Sequence, residues 1–348
     1  MMRVAAVHAF GGPEAIVLED WPIPVPGPGE VLIRMRAAGM NQADILVREG
    51  RFVEKDRQQP LPIILGVEGA GDIAAVGPGC DTHSVGDRVA VIPMLTCGTC
   101  EPCRKGLLSE CADLRIVGEH VDGTCAQYMV LPARNAIKVP DGPGYEALSV
   151  SIVAYMTAWH MLKTRGDLTA GETLLIVGGG SGMGSAALQL ARAIGARVIV
   201  TTGSDEKCRQ LIEAGADAAV NYTRVRDWDV EVRRLTGGRG VDIVHDTVGG
   251  ATFQKSINAL RQRGRMVCMG SHSGRSAEVL LVSIHRNEVD IRGCHTAHMS
   301  EIDEFLPLLA DGSLRPILDA TFSLEQVREA HLRLASPERL GKIAISIG

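Results

Sequence analysis

"TLLIVGGGSGMGSAALQLARAI" (Thr173–Ile194) is the stretch on which the fold turns. "TLLIV" reads as a buried strand, the turn Gly178–Gly184 is rich in glycine, and "SAALQLARAI" has helical spacing with small residues suited to close packing. The alternation continues downstream: "RVIVTT" predicts a strand, "DEKCRQLIEAGA" a helix, "AAVNY" a strand, and "VDIVHDTV" and "RMVCMG" two more. Strands separated by helices need right-handed crossovers, so residues 154–295 are expected to form a doubly wound parallel sheet. After "VDIRGCH" the pattern breaks. "SEIDEFLPLLADGSL" and "LEQVREAHLRLA" then predict two helices, and "GKIAISI" a terminal strand.

The glycine turn lacks the G-x-G-x-x-G spacing, but it sets Gly179, Gly182, Met183 and Gly184 between a strand and the first turn of a helix. Glycine there lets the backbone approach a pyrophosphate, whose charge meets the unpaired N–H groups and the positive end of the helix. The bland alternative, a tight loop only, is less economical inside a strand–turn–helix–strand unit. A site for NAD usually carries an acid at the end of the second strand, about 20 residues on. Here Thr202 holds that place, with Ser204 and Lys207 following. A carboxylate would repel a 2′-phosphate, whereas a hydroxyl and an ammonium would bind it, so NADP(H) is the expected cofactor. Asp205 and Glu206 are the competing acids, and a solvated helix lysine is the alternative for Lys207.

Residues 1–153 have a different texture. Short β-type runs ("VLIRMRAAGM", "GAGDIAAVG", "DRVAVI", "CAQYMVL") are separated by turn signals, which predicts an irregular antiparallel barrel or sandwich. The proline cluster "WPIPVPGPGE" reads as a loop entering a strand. At 348 residues, two domains are the expectation. A formal net charge of −5 and only 3% aromatic residues argue against a nucleic-acid or anionic-membrane partner, leaving a small-molecule substrate. No apolar run approaches the ~18 residues of a membrane span, and the N-terminus "MMRVAAVHAF" does not read as a secretory signal. Five of the nine cysteines lie scattered, which fits a reducing, cytoplasmic setting rather than a disulfide framework.

The other four, Cys97, Cys100, Cys103 and Cys111, fall within fifteen residues. Four thiolates make a closed tetrahedral zinc site with no position for water or substrate, so the ion would staple the loop rather than do chemistry. An iron–sulfur loop would place its fourth cysteine after three residues and before proline; here seven residues intervene and Ala112 follows. A redox C-x-x-C would need no further pair.

This loop, between an all-β region and a nucleotide-binding half, resembles that of the zinc-containing medium-chain dehydrogenase/reductase superfamily. The likeness runs from "PGPGEVLIR" to "GKIAIS". It implies a GroES-like N-terminal catalytic domain over residues 1–153, completed by 296–348, and a Rossmann domain over 154–295. The alcohol dehydrogenases of that family also hold a catalytic zinc with Cys, His and a second Cys or Asp. At the matching positions this chain has Asn41 in Gly-x-Asn-x-x-Asp, Val67 in Gly-Val-Glu, and Val153, four residues before Thr157. An amide and two valines cannot hold zinc.

Without that ion an unactivated alcohol is a poor substrate, but a conjugated acceptor spreads the arriving charge and can be served by hydrogen bonds. The pattern looks like the quinone oxidoreductase and ene-reductase branch. The resemblance implies that NADPH delivers hydride to an enone, enal or quinone while Asn41 polarises the carbonyl. It also implies that Thr157 fixes the nicotinamide, that Tyr222 contacts the 2′-phosphate, and that the chain forms a homodimer or homotetramer. Tyr155 and Tyr128 are candidate proton donors, each against a buried structural role. Asp44 and Glu68 read as supporting groups, and His160 beside Trp159 as packed. Three alternatives stay open: an alcohol dehydrogenase with a non-standard metal site, an enoyl thioester reductase, and a nucleotide sensor without turnover.

Overall fold

A computed structural model describes residues 1–51, 59–139 and 141–348, in two compact units. One unit comprises Met1–Val153 with His298–Gly348, the other Ala154–Ala297.

The first unit is built on the strand Glu30–Met40. Val31, Leu32 and Ile33 are buried in succession, Arg34 and Arg36 then flank the buried Met35, and the strand finishes in a wholly buried end, Ala37–Met40. The strand pairs antiparallel with Glu68–Val76, with Tyr128–Pro132 and with the C-terminal strand Lys342–Ser346. The sheet extends through Arg88–Val91 to Ala136–Lys138 on one side, and on the other through Leu318–Ser323, which runs parallel to the C-terminal strand. A three-stranded sheet of Ile16–Trp21, Met2–Val7 and Ile63–Ile64 adds a second layer. Val4, Ile33, Met35, Ile73, Leu131, Ile343 and Ile345 lie in the common core. Gly39 is obligatory: a Cβ there would lie 2.0 Å from the Ser149 carbonyl oxygen.

Register decides what meets at the buried end of the central strand. Gly39 pairs with Glu68, the first residue of one neighbour. Met40 pairs with Ile343, which directly follows Lys342, the first residue of the other. Asn41 ends the strand and opens the helix Gln42–Arg48. Three side chains far apart in the chain are thereby delivered to one place.

The second unit carries a six-stranded, all-parallel sheet. The strand order is Ala218–Asn221, Arg197–Thr202, Thr173–Val177, Val241–Asp246, Leu260–Cys268 and Asp290–Gly293. The helix Gly182–Ile194 follows the central strand and ends on Gly195 at φ 91°, a left-handed C-terminal cap. Two helices without a sequence expectation, Trp228–Leu235 and Phe253–Ala259, pack on this sheet. No helix of the described residues is long and apolar enough to cross a membrane.

His245, on the strand Val241–Asp246, is 1% exposed, and neither ring nitrogen has a hydrogen-bond partner among the described residues. Burial drives its pKa down to about 4. A depressed histidine contributes stability that is present above the unfolded value of ~6.5 and lost as pH falls toward 4, because only the unfolded chain takes up the proton. His245→Leu removes no hydrogen bond. The variant is therefore expected to lose about 2 kcal/mol less stability than the native protein between pH 7 and pH 5, read from urea midpoints at both values.

Candidate active site and metal centre

The cysteine loop is closed by its own small sheet. Met94–Leu95 and Arg115–Ile116 pair antiparallel and bring the two ends of the loop together. Cys100 caps the short helix Glu101–Arg104, which carries Cys103. The sulfurs of Cys97, Cys100, Cys103 and Cys111 all lie within 4.8 Å of one another. The Cys97–Cys103 and Cys97–Cys111 separations are 3.8 and 3.7 Å. A tetrahedron with metal–sulfur bonds of about 2.3 Å has edges of about 3.8 Å, so the bare loop already has the dimensions of a zinc–thiolate site. Backbone N–H groups point at the sulfurs, Cys100 N–H to Cys97 at 3.3 Å and Cys97 N–H to Cys111 at 3.5 Å. The N–H of Thr99, then that of Cys100, hold the Cys97 thiol down at about 6, whereas Cys100 among its neighbouring sulfurs is pushed up to about 12. The residues fit zinc, and they leave it no open position.

The strand ends build a second polar cluster. Glu68 is fully buried, and its Oε1 accepts from Lys342 Nζ at 2.7 Å and from Asn41 Nδ2 at 2.9 Å. Its Oε2 accepts the Val153 N–H at 2.8 Å. Lys342, 5% exposed, also donates to the Met40 carbonyl and to Asn41 Oδ1, each at 2.6 Å. Asp44 accepts the N–H groups of Asn41 (2.7 Å) and Gly66 (3.1 Å), and burial pushes its pKa up to about 6. Breaking a buried pair such as Lys342–Glu68 typically costs 3–5 kcal/mol, because one charge is stranded. Val67 lies in the same wall, 3% exposed, and with Val153 it offers no donor side chain. Among the described residues the four cysteines are the one group of three or more His, Cys, Asp or Glu with metal-binding proximity.

In the second unit the glycine turn has the close packing that a phosphate cradle needs. A Cβ on Gly179 would lie 2.8 Å from Val200 Cβ, and one on Gly184 would lie 2.5 Å from the Gly178 oxygen. Ser181 caps the helix by accepting the Gly184 N–H at 2.9 Å. The N–H groups of Gly182 and Met183, in the first turn, have no helical acceptor.

Beside this turn the end of the second strand meets the loop after the third. Thr202 is 3% exposed, and its carbonyl accepts the Tyr222 N–H at 3.0 Å. The Tyr222 phenol is half-exposed, and its oxygen would lie 2.8 Å from a Cβ on Gly203. Ser204 caps the helix Asp205–Glu213, accepting the Lys207 N–H at 3.2 Å. Of the two competing acids, Asp205 is turned toward Asn221 Nδ2 (2.6 Å) and the Arg224 guanidinium (2.6 Å), and Glu206 pairs with Arg209.

Thr157 is buried on the helix Ile152–Trp159, 2% exposed. Tyr155 on the same helix is equally buried. Its hydroxyl donates to Gln189 Oε1 at 3.1 Å, and burial pushes the phenol upward. Tyr128 lies half-buried opposite Arg34 in the first unit, and His160 is packed. Lys342 and Arg224 were missed by sequence reasoning. A lysine opening a terminal strand and an arginine in a polar loop look solvated until the register is known.

Residues 27–141 match the alcohol dehydrogenase GroES-like domain, and residues 182–311 match the zinc-binding dehydrogenase family. The chain is 30% identical to a 2-haloacrylate reductase of Burkholderia sp, covering 99% of each. It is also 30% identical to an acryloyl-coenzyme A reductase of Sulfurisphaera tokodaii, covering 98% of this chain and 99% of that one. A crystal structure of an NAD-dependent alcohol dehydrogenase superposes with a TM-score of 0.94 at 38% identity, over 100% of both chains. The chain belongs to the zinc-containing medium-chain dehydrogenase/reductase superfamily. It is an oxidoreductase with a GroES-like domain, a Rossmann sheet and a four-cysteine zinc-binding cluster. In the medium-chain fold of this protein, then, the one preformed metal cage among the described residues is the outlying loop.

Cys103→Ser is expected to release about one zinc per chain, read by elemental analysis, and to lower the thermal midpoint. The Asn41–Glu68–Lys342 cluster is built without the ion, so the variant should still fold at reduced temperature.

Proposed function

We propose that the protein is an NADPH-dependent reductase that transfers hydride to the β-carbon of a conjugated carbonyl compound without a catalytic metal. The observation that carries this reading is the Asn41–Glu68–Lys342 cluster. The Asn41 amide, backed by the Lys342 ammonium, stands beside two valines, so the place suits an amide hydrogen bond to an oxyanion and not coordination of a cation. Reduced nicotinamide supplies the hydride when bound. The substrate carbonyl gathers negative charge as its β-carbon is reduced, and the Asn41 amide donates to that oxygen. Asp44 holds the Asn41 backbone, and Glu68 holds its side chain.

For the cofactor, we assign the pyrophosphate to the backbone of Gly179, Gly182, Met183 and Gly184, and the nicotinamide to Thr157. The 2′-phosphate is assigned to Thr202, Ser204, Lys207 and Tyr222. Arg224 supports this choice, because it pairs with Asp205, one of the two acids that would otherwise repel that phosphate. Tyr155 is the phenol that the sequence nominates as proton donor. In this reading its bond to Gln189 ties two helices, and solvent protonates the α-carbon. Both reductases reported above are named for acrylate-type substrates, in which a C=C bond is conjugated to a carboxyl or thioester carbonyl.

A second reading rests on the likeness to an NAD-dependent alcohol dehydrogenase: oxidation of an alcohol by NAD⁺ at an unforeseen metal site. One panel separates the two. Quinones, enones, enals, free acrylates and enoyl thioesters are offered with NADPH or NADH, and alcohols with NAD⁺ or NADP⁺, absorbance being followed at 340 nm. The proposal expects NADPH consumption with at least one conjugated acceptor, preference for NADPH over NADH by at least about tenfold in kcat/KM, and inertness toward alcohols. Alcohol oxidation alone, or inertness toward every acceptor, overturns it.

A further inference from the structure

Asn41 lies half-buried at the end of the central strand of the first unit, and both ends of its amide are engaged. Its Oδ1 accepts from Lys342 and its Nδ2 donates to Glu68. These two partners also bond each other, so the three side chains close a triangle. An ammonium can only donate and a carboxylate can only accept, so the triangle is satisfied by one amide orientation and frustrated by the other. Flipping the amide would set its NH2 against the Lys342 ammonium and its oxygen against the Glu68 carboxylate. Two charge-assisted hydrogen bonds would be replaced by two repulsive contacts. The backbone N–H of Asn41 is held separately by Asp44, which removes the remaining freedom to turn away.

The consequence concerns what is left over. An amide nitrogen carries two hydrogens, and Glu68 takes one. The second has no acceptor among the described residues, and the amide oxygen, which accepts from Lys342, keeps one lone pair beside that ammonium. The second N–H leaves Asn41 a donor for a substrate oxygen. All three Lys342 N–H groups are spent, on Met40, Asn41 and Glu68, so the lysine itself has none for a substrate.

We infer that Lys342 is a positioning residue: paired with Glu68, its ammonium locks the Asn41 amide in the orientation that leaves an N–H to donate to the substrate carbonyl. This rests on the assignment of Asn41 made above and adds the group that determines its polarity. A donor fixed before reaction needs no reorganisation when charge develops, and the ammonium behind it strengthens its dipole. Lysine serves here because a compact charge with three divergent donors can reach a carbonyl, an amide and a carboxylate at once. The flat fork of arginine would not.

The test removes both charges together, so that no carboxylate is stranded. Lys342→Met/Glu68→Gln is compared with Asn41→Ala, with the triple variant and with the native enzyme, folding being checked by circular dichroism and by retained zinc. The double variant is expected to lose kcat on the order of 10²-fold, as for removal of one oxyanion donor, with KM for NADPH unchanged. In the Asn41→Ala background the same double change should cost less than about threefold more, because the lysine acts through the asparagine. Losses that multiply, or a double variant within about threefold of native, overturn the inference. A second arm does not depend on turnover. With ¹⁵N-asparagine labelling, the two Asn41 side-chain protons should be widely separated in shift and slow to exchange, and should converge in the double variant. Averaged protons in the native protein overturn the lock. A wild-type enzyme inert toward every conjugated acceptor would defeat the proposed function and leave this arm to decide the orientation.

Discussion

A buried ion pair between Lys342 and Glu68 is the constraint around which the first unit is arranged. It contributes little net stability, since desolvating two charges offsets most of their attraction. What it supplies is specificity. Three strand ends must arrive together, in a register where Gly39 faces Glu68 and Met40 faces Ile343, or the charges are stranded without partners. The same pair decides the chemistry nearby. A positive charge already occupies the ground beside Asn41, and Val67 and Val153 supply no ligand that would favour a second one. Under the proposed function, chemistry at this place works through hydrogen bonds, which suits a substrate able to spread its own charge.

The metal-binding loop and the Asn41 cluster are separate constructions within the first unit. The cysteine loop gains its geometry from two short strands and from N–H groups aimed at sulfur, independently of the cluster at Asn41. In the second unit the glycine turn owes its shape to close contact with Val200 and with its own backbone. At the end of the second strand, Asp205 is paired with Arg224 in an exposed ion pair.

Much of this was legible in the sequence because the signals were local. Parallel strands covered on both faces read as unbroken apolar runs, and "TLLIV", "RVIVTT" and "VDIVHD" are all strands. The cysteine spacing announced a cage whose sulfurs do converge. What escaped notice was non-local or weakly patterned. The helix Trp228–Leu235 is short and charged, and the strand Leu318–Ser323 alternates apolar with polar residues over only six positions and is nowhere fully buried. Lys342 was hidden for a deeper reason. Its partners precede it by 301 and 274 residues, and only sheet register brings them together.

The central claim is that the ground beside Asn41 belongs to an internal ammonium and not to a metal ion. The most direct measurement is anomalous diffraction at the zinc absorption edge from crystals grown with excess zinc. The account predicts one strong peak per chain, within bonding distance of Cys97, Cys100, Cys103 and Cys111, and none near Lys342. A second ordered peak in contact with Asn41 or Glu68, with the lysine displaced, would contradict it.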